Sequence, residues 1–196
     1  MSINFGVFGS GAVFNLCHGP ALSSIRNVRI KSIFDLDKSR AKEAADKWKI
    51  SNVASEPNEI INDKEIDAII IATPNNLHHE LTIKSANKKK HIFCEKPISI
   101  NLQEANEMIK ACKKNNVQFQ IGFNQRFWSQ VEIVKKLLEV NFIGKIHSFR
   151  TIYSEKYSVF PAATPYRYNL DQSGGATIID LAIHRIDMIR YLLGEY

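Results

Sequence analysis

Five short runs of Ile, Val and Phe alternate with longer stretches of helical spacing, and this alternation restricts the fold more than any other feature of the chain. The runs are Ile3 to Phe8, Val28 to Phe34, Ala68 to Ala72, His91 to Cys94 and Val117 to Ile121. A strand that is apolar at nearly every position is buried on both faces, so helices must cover both sides of a mostly parallel sheet. The covering helices include Lys38 to Trp48, Asn76 to Asn87 and Leu102 to Asn115. In the last of these, Leu102, Ala105, Met108, Ile109 and Cys112 recur at helical spacing. The expected class is α/β, a doubly wound parallel sheet, and 196 residues with 44% hydrophobic content suffice for its core.

The pattern changes near Gly122, which sets a domain boundary with residues 1–121 before it and 122–196 after it. A helix is expected over Trp128 to Val140, a strand over Lys145 to Tyr153, a polar, aromatic loop over Ser154 to Ser173, and a terminal helix over Ala176 to Leu193. One strand cannot form a sheet. Either it joins the first domain or another chain, or the second, α+β domain is incomplete. There is no repeat, low-complexity tract or flexible linker.

The formal charge of +6 comes from scattered lysines, and the one tight run, Lys88 to Lys90, falls where a helix should end. A solvated helix terminus accounts for it better than a nucleic-acid patch does. A positive surface also gathers anionic cofactors or phosphorylated sugars. Three cysteines, Cys17, Cys94 and Cys112, are odd in number and lack metal-ligand or redox spacing, as expected of free thiols in a reducing compartment. The first 25 residues carry no Lys, Arg, Asp or Glu, but four glycines, Asn4, Asn15, His18 and Pro20 interrupt any apolar core there. The expected location is the cytoplasm, with neither membrane nor nucleic acid as a partner.

Chemistry enters at the end of the first run, Gly9-Ser10-Gly11-Ala12-Val13-Phe14. Glycine permits a tight turn there and lets backbone amides approach a pyrophosphate, while the following helix N-terminus directs partial positive charge at it. Phe14 stands where the Rossmann fingerprint has its third glycine, so close helix–strand packing must be solved another way. Asp35, 24 residues after Gly11 at the end of the second run, can accept from both ribose hydroxyls. A carboxylate there repels a 2′-phosphate and no arginine follows immediately, so NAD is expected over NADP. The alternative role of Asp35 is a helix N-terminal charge.

The fourth run delivers Glu95-Lys96-Pro97 to the carboxyl edge of the sheet, the edge that lines the ligand crevice of open α/β folds. Lys96 can donate to a substrate oxygen and stabilise alkoxide character, and Pro97 bars helical geometry at Lys96. In the terminal helix, Asp180 and His184 are four apart and share a face, which is costly in a buried helix unless they pair with each other or with a ligand. Histidine titrates near neutrality and can take the proton of an alcohol as hydride departs. A structural ion pair is the alternative, and Asp187 has a structural partner within reach in Arg190.

Ala72-Thr73-Pro74-Asn75, His78, Cys94-Glu95-Lys96-Pro97, Gly122-Phe123-Asn124-Gln125-Arg126-Phe127 and Ser173-Gly174-Gly175 through Asp180 and His184 come in the order found in one family. The chain resembles the glucose-fructose oxidoreductase, inositol dehydrogenase and rhizopine catabolism (Gfo/Idh/MocA) family over essentially its whole length. The resemblance implies an NAD(P)-dependent oxidoreductase moving hydride between nicotinamide and a hydroxyl of a sugar, polyol or nucleotide-sugar. It implies that Gly9, Gly11, Ala12, Val13, Asp35, Thr73, Pro74, Asn75, His78, Glu95, Lys96 and Arg126 lie along the cofactor. It further implies that Lys96, Asp180 and His184 are catalytic and that Tyr166 and Arg167 contact substrate. Family members are considerably longer and build an open-faced sheet past this helix, a sheet that walls the substrate pocket and often forms a subunit interface. The chain is therefore expected to be truncated in its second domain, with a homo-oligomer possible. The competing readings are an NAD-binding regulatory protein or remnant without catalysis, and a nucleic-acid binder.

Overall fold

The computed structural model of the chain describes residues 2–153, 165–175 and 178–194. Six strands, β1 (Ile3–Phe8), β2 (Val28–Phe34), β3 (Asn52–Val53), β4 (Ala68–Ile71), β5 (His91–Cys94) and β6 (Phe119–Ile121), form one sheet in the order β3-β2-β1-β4-β5-β6. Every pairing is parallel. This is the Rossmann order, with the crossover between β1 and β4 opening a crevice at the carboxyl edge. The two-residue edge strand β3 lies outside the five apolar runs because both its residues are exposed and too few to show a period.

The strand pleat sorts apolar side chains into two cores. Phe8, Ile69 and Ile71 face one side with Met108 and Leu81, while Val7, Ile33 and Ile70 face the other with Phe14 and Ala44. The first core is roofed by α3 (Pro57–Asn62), α4 (His78–Asn87) and α5 (Leu102–Asn115). The second is roofed by a π-helical turn, Phe14–His18, running into α1 (Gly19–Ser24), and by α2 (Lys38–Trp48). Asp37 caps α2 by accepting from the Ser39 and Arg40 amides, and Asn101 caps α5 by accepting from the Glu104 amide. Phe14 is fully buried in the second core, and close helix packing is supplied instead by Gly19, where a Cβ would fall 2.5 Å from the Trp48 indole. Lys90 departs from the expected solvated terminus. It is 7% exposed, and its ammonium donates to the carbonyls of Asp63 (2.6 Å) and Ile66 (2.7 Å), which satisfy the buried charge.

Beyond β6 come α6 (Ser129–Glu139), a 3-10 turn (Pro165–Tyr168), α7 (Leu170–Ser173), a π-helical turn (Ile178–Ala182) and α8 (Ile183–Leu193). Residues 145–153, expected as a strand, join no ladder among the described residues, because no neighbouring strand offers them hydrogen bonds. The loop expected over 154–173 is helical from Pro165 onward, while residues 154–164 lie outside the described residues, as do 176 and 177 of the terminal helix. That helix is also less buried than its apolar content implies. Ile178 is 69% and Ile186 52% exposed. Among the described residues, no helix is long and apolar enough to cross a membrane.

Candidate active site

The carboxyl ends of β1, β2, β4 and β5 bring the expected residues to one crevice. Gly9 has φ +92°, and a Cβ there would collide with the Ala72 carbonyl, so the turn after β1 needs glycine on both counts. Gly11 differs. Nothing lies within 4 Å of where its Cβ would stand, which leaves room beside the backbone just where the helix-opening amides of Ala12 and Val13 lack intrahelical acceptors. That room and those donors fit a dinucleotide pyrophosphate. Asp35 follows β2, and its Oδ2 accepts from the Ser10 amide (2.8 Å) and hydroxyl (2.9 Å), while Oδ1 accepts from the Asp37 amide (2.9 Å). An ionised carboxylate offers about four acceptor sites, so one remains for a ribose hydroxyl. Arg40, one turn into α2, stands 3.9 Å from Asp35 and 3.4 Å from Asp37.

Thr73, Pro74 and Asn75 follow β4 on the same edge. Asn75 is buried and donates from Nδ2 to the Ser173 carbonyl at 2.8 Å, tying α7 to the crevice. His78, expected along the cofactor, is instead fully buried, with Nδ1 2.8 Å from the Pro97 carbonyl and Nε2 3.0 Å from that of Thr73. Both ring nitrogens face backbone carbonyls; a neutral ring carries one N–H and so donates to one of them at a time, wedged between the two loops. Burial pushes its pKa down, against the pull of those carbonyls.

Lys96 follows β5, joined to Pro97 by a cis peptide bond. Its Nζ donates to the Asp180 carboxylate and to the Asp180 carbonyl, each at 2.8 Å. Arg167 approaches the other carboxylate oxygen at 3.4 Å, and all three side chains are at most 14% exposed. Asp180 therefore sits between two cations, on the π-helical turn that precedes α8. His184 lies one turn on, its ring edge-on to Phe123 and its buried Nδ1 without a hydrogen-bond partner among the described residues. Burial first, then the Lys96 charge, lowers its pKa to about 4. At neutral pH it is an uncharged imidazole.

Arg126 meets Asp187 through two hydrogen bonds, one from Nε at 2.7 Å, and its guanidinium stands over Tyr191. Asp187 thus finds its partner across the chain in Arg126. Tyr166 is half-buried in the 3-10 turn. Four contributors escape a reading of the sequence: Ser10, which holds Asp35; Arg40; His18, which meets Glu95; and Gly122, whose missing side chain admits the Glu95 carboxylate. Ser10 and Gly122 stand inside motifs that the sequence displays without showing their partners, His18 interrupts an apolar N-terminal stretch, and Arg40 carried no signal.

Residues 3–123 match the family model described as the oxidoreductase family, NAD-binding Rossmann fold, and residues 131–196 match the GFO/IDH/MocA C-terminal domain model. The chain is 35% identical over 192 residues, 97% of its length and 53% of the relative's, to the uncharacterized oxidoreductase YrbE of Bacillus subtilis. Another relative is myo-inositol 2-dehydrogenase of Thermotoga maritima, 35% identical over 193 residues, which cover 98% of this chain and 55% of that protein. Levoglucosan dehydrogenase of Pseudarthrobacter phenanthrenivorans is 38% identical over 85% of this chain and 43% of its own length. A solved structure of levoglucosan dehydrogenase in complex with NADH and levoglucosan superposes with a TM-score of 0.92 at 34% identity, covering all of this chain and 55% of that one. The chain thus spans about half the length of the curated relatives it matches.

Proposed function

The chain belongs to the Gfo/Idh/MocA oxidoreductase family, whose Rossmann half is an NAD-binding domain, and from that premise we propose that the protein oxidises a secondary hydroxyl of a sugar or polyol reversibly. The observation that supports this reading best is the meeting of Lys96, Asp180 and a neutral His184 at the mouth of the crevice. The names of the relatives, dehydrogenases of inositol and of levoglucosan, point to the same substrate class.

NAD, when bound, supplies the hydride acceptor at C4 of its nicotinamide. The chain's own residues manage the proton and the charge. His184 takes the hydroxyl proton, its depressed pKa keeping it unprotonated from neutrality down to about pH 4. Lys96 donates to the same oxygen as negative charge grows on it, and Asp180 fixes the ammonium while Arg167 fixes Asp180. Gly9, Gly11 and the amides of Ala12 and Val13 hold the pyrophosphate, and Asp35, kept in place by Ser10, takes a ribose hydroxyl and disfavours a 2′-phosphate.

NADH titration by fluorescence, repeated with NADPH, tests the cofactor half; tighter NADPH binding sinks the NAD preference. A screen of sugars and polyols for NADH production tests the catalytic half. Lys96→Ala and His184→Ala should each lower kcat by about 100-fold or more while NADH still binds. Binding of NADH with no turnover on any sugar or polyol would instead favour a non-catalytic sensor.

A further inference from the structure

Glu95 occupies a cage assembled from three elements that the reaction outlined above does not use. Its Oε1 lies 2.7 Å from Nε2 of His18, on the π-helical turn after the phosphate turn. Its Oε2 accepts from the Lys96 amide at 3.2 Å. On the remaining side stands Gly122, just past β6, where a Cβ would fall 3.0 Å from both carboxylate oxygens, so any larger residue would press on them. The side chains of His18 and Glu95 are 14% and 17% exposed, and the imidazole packs edge-on against Phe93 of β5 at 5.3 Å between centroids. A carboxylate can only accept, so the His18 nitrogen is the donor. Shielding from water makes that donor hard to replace, because a carboxylate this enclosed loses hydration that the imidazole restores.

We propose that His18 is a positioning residue: by donating from Nε2 it holds the Glu95 carboxylate against the Lys96 amide, and so couples the helix of the phosphate turn to the strand end that presents Lys96. The π-helical turn is what aims it. In that turn each amide reaches five residues back, so a residue is added to the helical turn and His18 faces β5 while Phe14 faces the core. The pair links β1 and β5 across β4, along the rim of the crevice. Glu95 also raises the pKa of His184 while Lys96 lowers it, so the placement of Glu95 bears on the proton-accepting group as well.

The catalytic consequence rests on the dehydrogenase reading, but the positioning does not, and the test separates the two. Gln carries a donor close to the place of the histidine Nε2, Phe keeps the ring and its contact with Phe93, and Ala keeps neither. In nitrogen-proton correlation spectra of the intact chain, exchange of the Lys96 amide should speed up at least tenfold in His18→Phe and His18→Ala and stay within threefold of wild type in His18→Gln. If the wild-type chain turns over a polyol, kcat should fall about tenfold in the Phe and Ala variants and recover in Gln, with KM for NAD within threefold throughout. A Lys96 amide unchanged in His18→Phe, or a Gln variant no better than Ala in protein that melts like wild type, overturns the proposal. Absence of turnover in the wild-type chain counts against the dehydrogenase reading alone, since the amide measurement is made without substrate.

Discussion

Two glycines of one turn do different jobs, and the difference predicts opposite outcomes for substitution. Gly9 is needed by the fold, because its positive φ and the nearby Ala72 carbonyl exclude a side chain. Gly11 is surrounded by space and needed only if something else fills it. Gly11→Val should therefore leave the melting temperature within about 2 °C of wild type, a shift of at most about 1 kcal/mol for a chain this size, while weakening NADH binding at least tenfold. Retained binding would show that the open room is not the pyrophosphate site. The sequence displays both glycines alike; what it cannot display is which neighbour each one spares, because Ala72 arrives from β4, some sixty residues later in the chain. Lys90 teaches the same lesson from the opposite direction. A lysine in a basic run reads as solvated, yet two carbonyls from the α3–β4 connection make its burial affordable.

Elements were legible where a local pattern and the global packing agreed. All five apolar runs are strands of the central sheet, and α2 and α5 fill their expected ranges, because strand burial and helix periodicity leave direct marks in the sequence. Residues 145–153 read as a strand for the same reason and fail for want of a partner, since β-propensity is a statement about neighbours as much as about residues. The placement of α7 was not legible at all: it depends on the buried Asn75 amide reaching the Ser173 carbonyl, and on Gly174 lying against Ile100 too closely for a Cβ. Asn75→Ala removes that hydrogen bond and leaves a buried carbonyl unpaired, at a cost of about 1–3 kcal/mol. Hydrogen exchange over residues 165–175 should accelerate at least fivefold while β1 and β4 keep their protection; a uniform change over the whole chain would refute α7 as a separately docked element.

At the scale of the molecule, the buried His78 and half-buried His184 shape how the chain responds to acid. The pKa of His184 is lowered to about 4 and that of His78 is also depressed, in both cases chiefly by burial. Below about pH 6.5 the unfolded chain therefore binds protons that the folded chain refuses, so the stability these residues contribute is whole above about pH 6.5 and is lost as pH falls, for His184 down to about pH 4. The urea midpoint should decline between pH 7 and pH 5, and less steeply in His184→Phe; a flat profile would contradict the burial of both rings. The crevice itself is bordered by two π-helical turns, Phe14–His18 in the first half of the chain and Ile178–Ala182 in the second. Each is a joint at which one residue can be gained or lost with the helix beyond it kept whole, while the side chains on the turn swing by about 100°. For a lineage that tolerates insertions and deletions, such joints are places where a binding site can be re-aimed in a single step, and the distance in sequence between the phosphate turn and the residue serving it is free to drift by one.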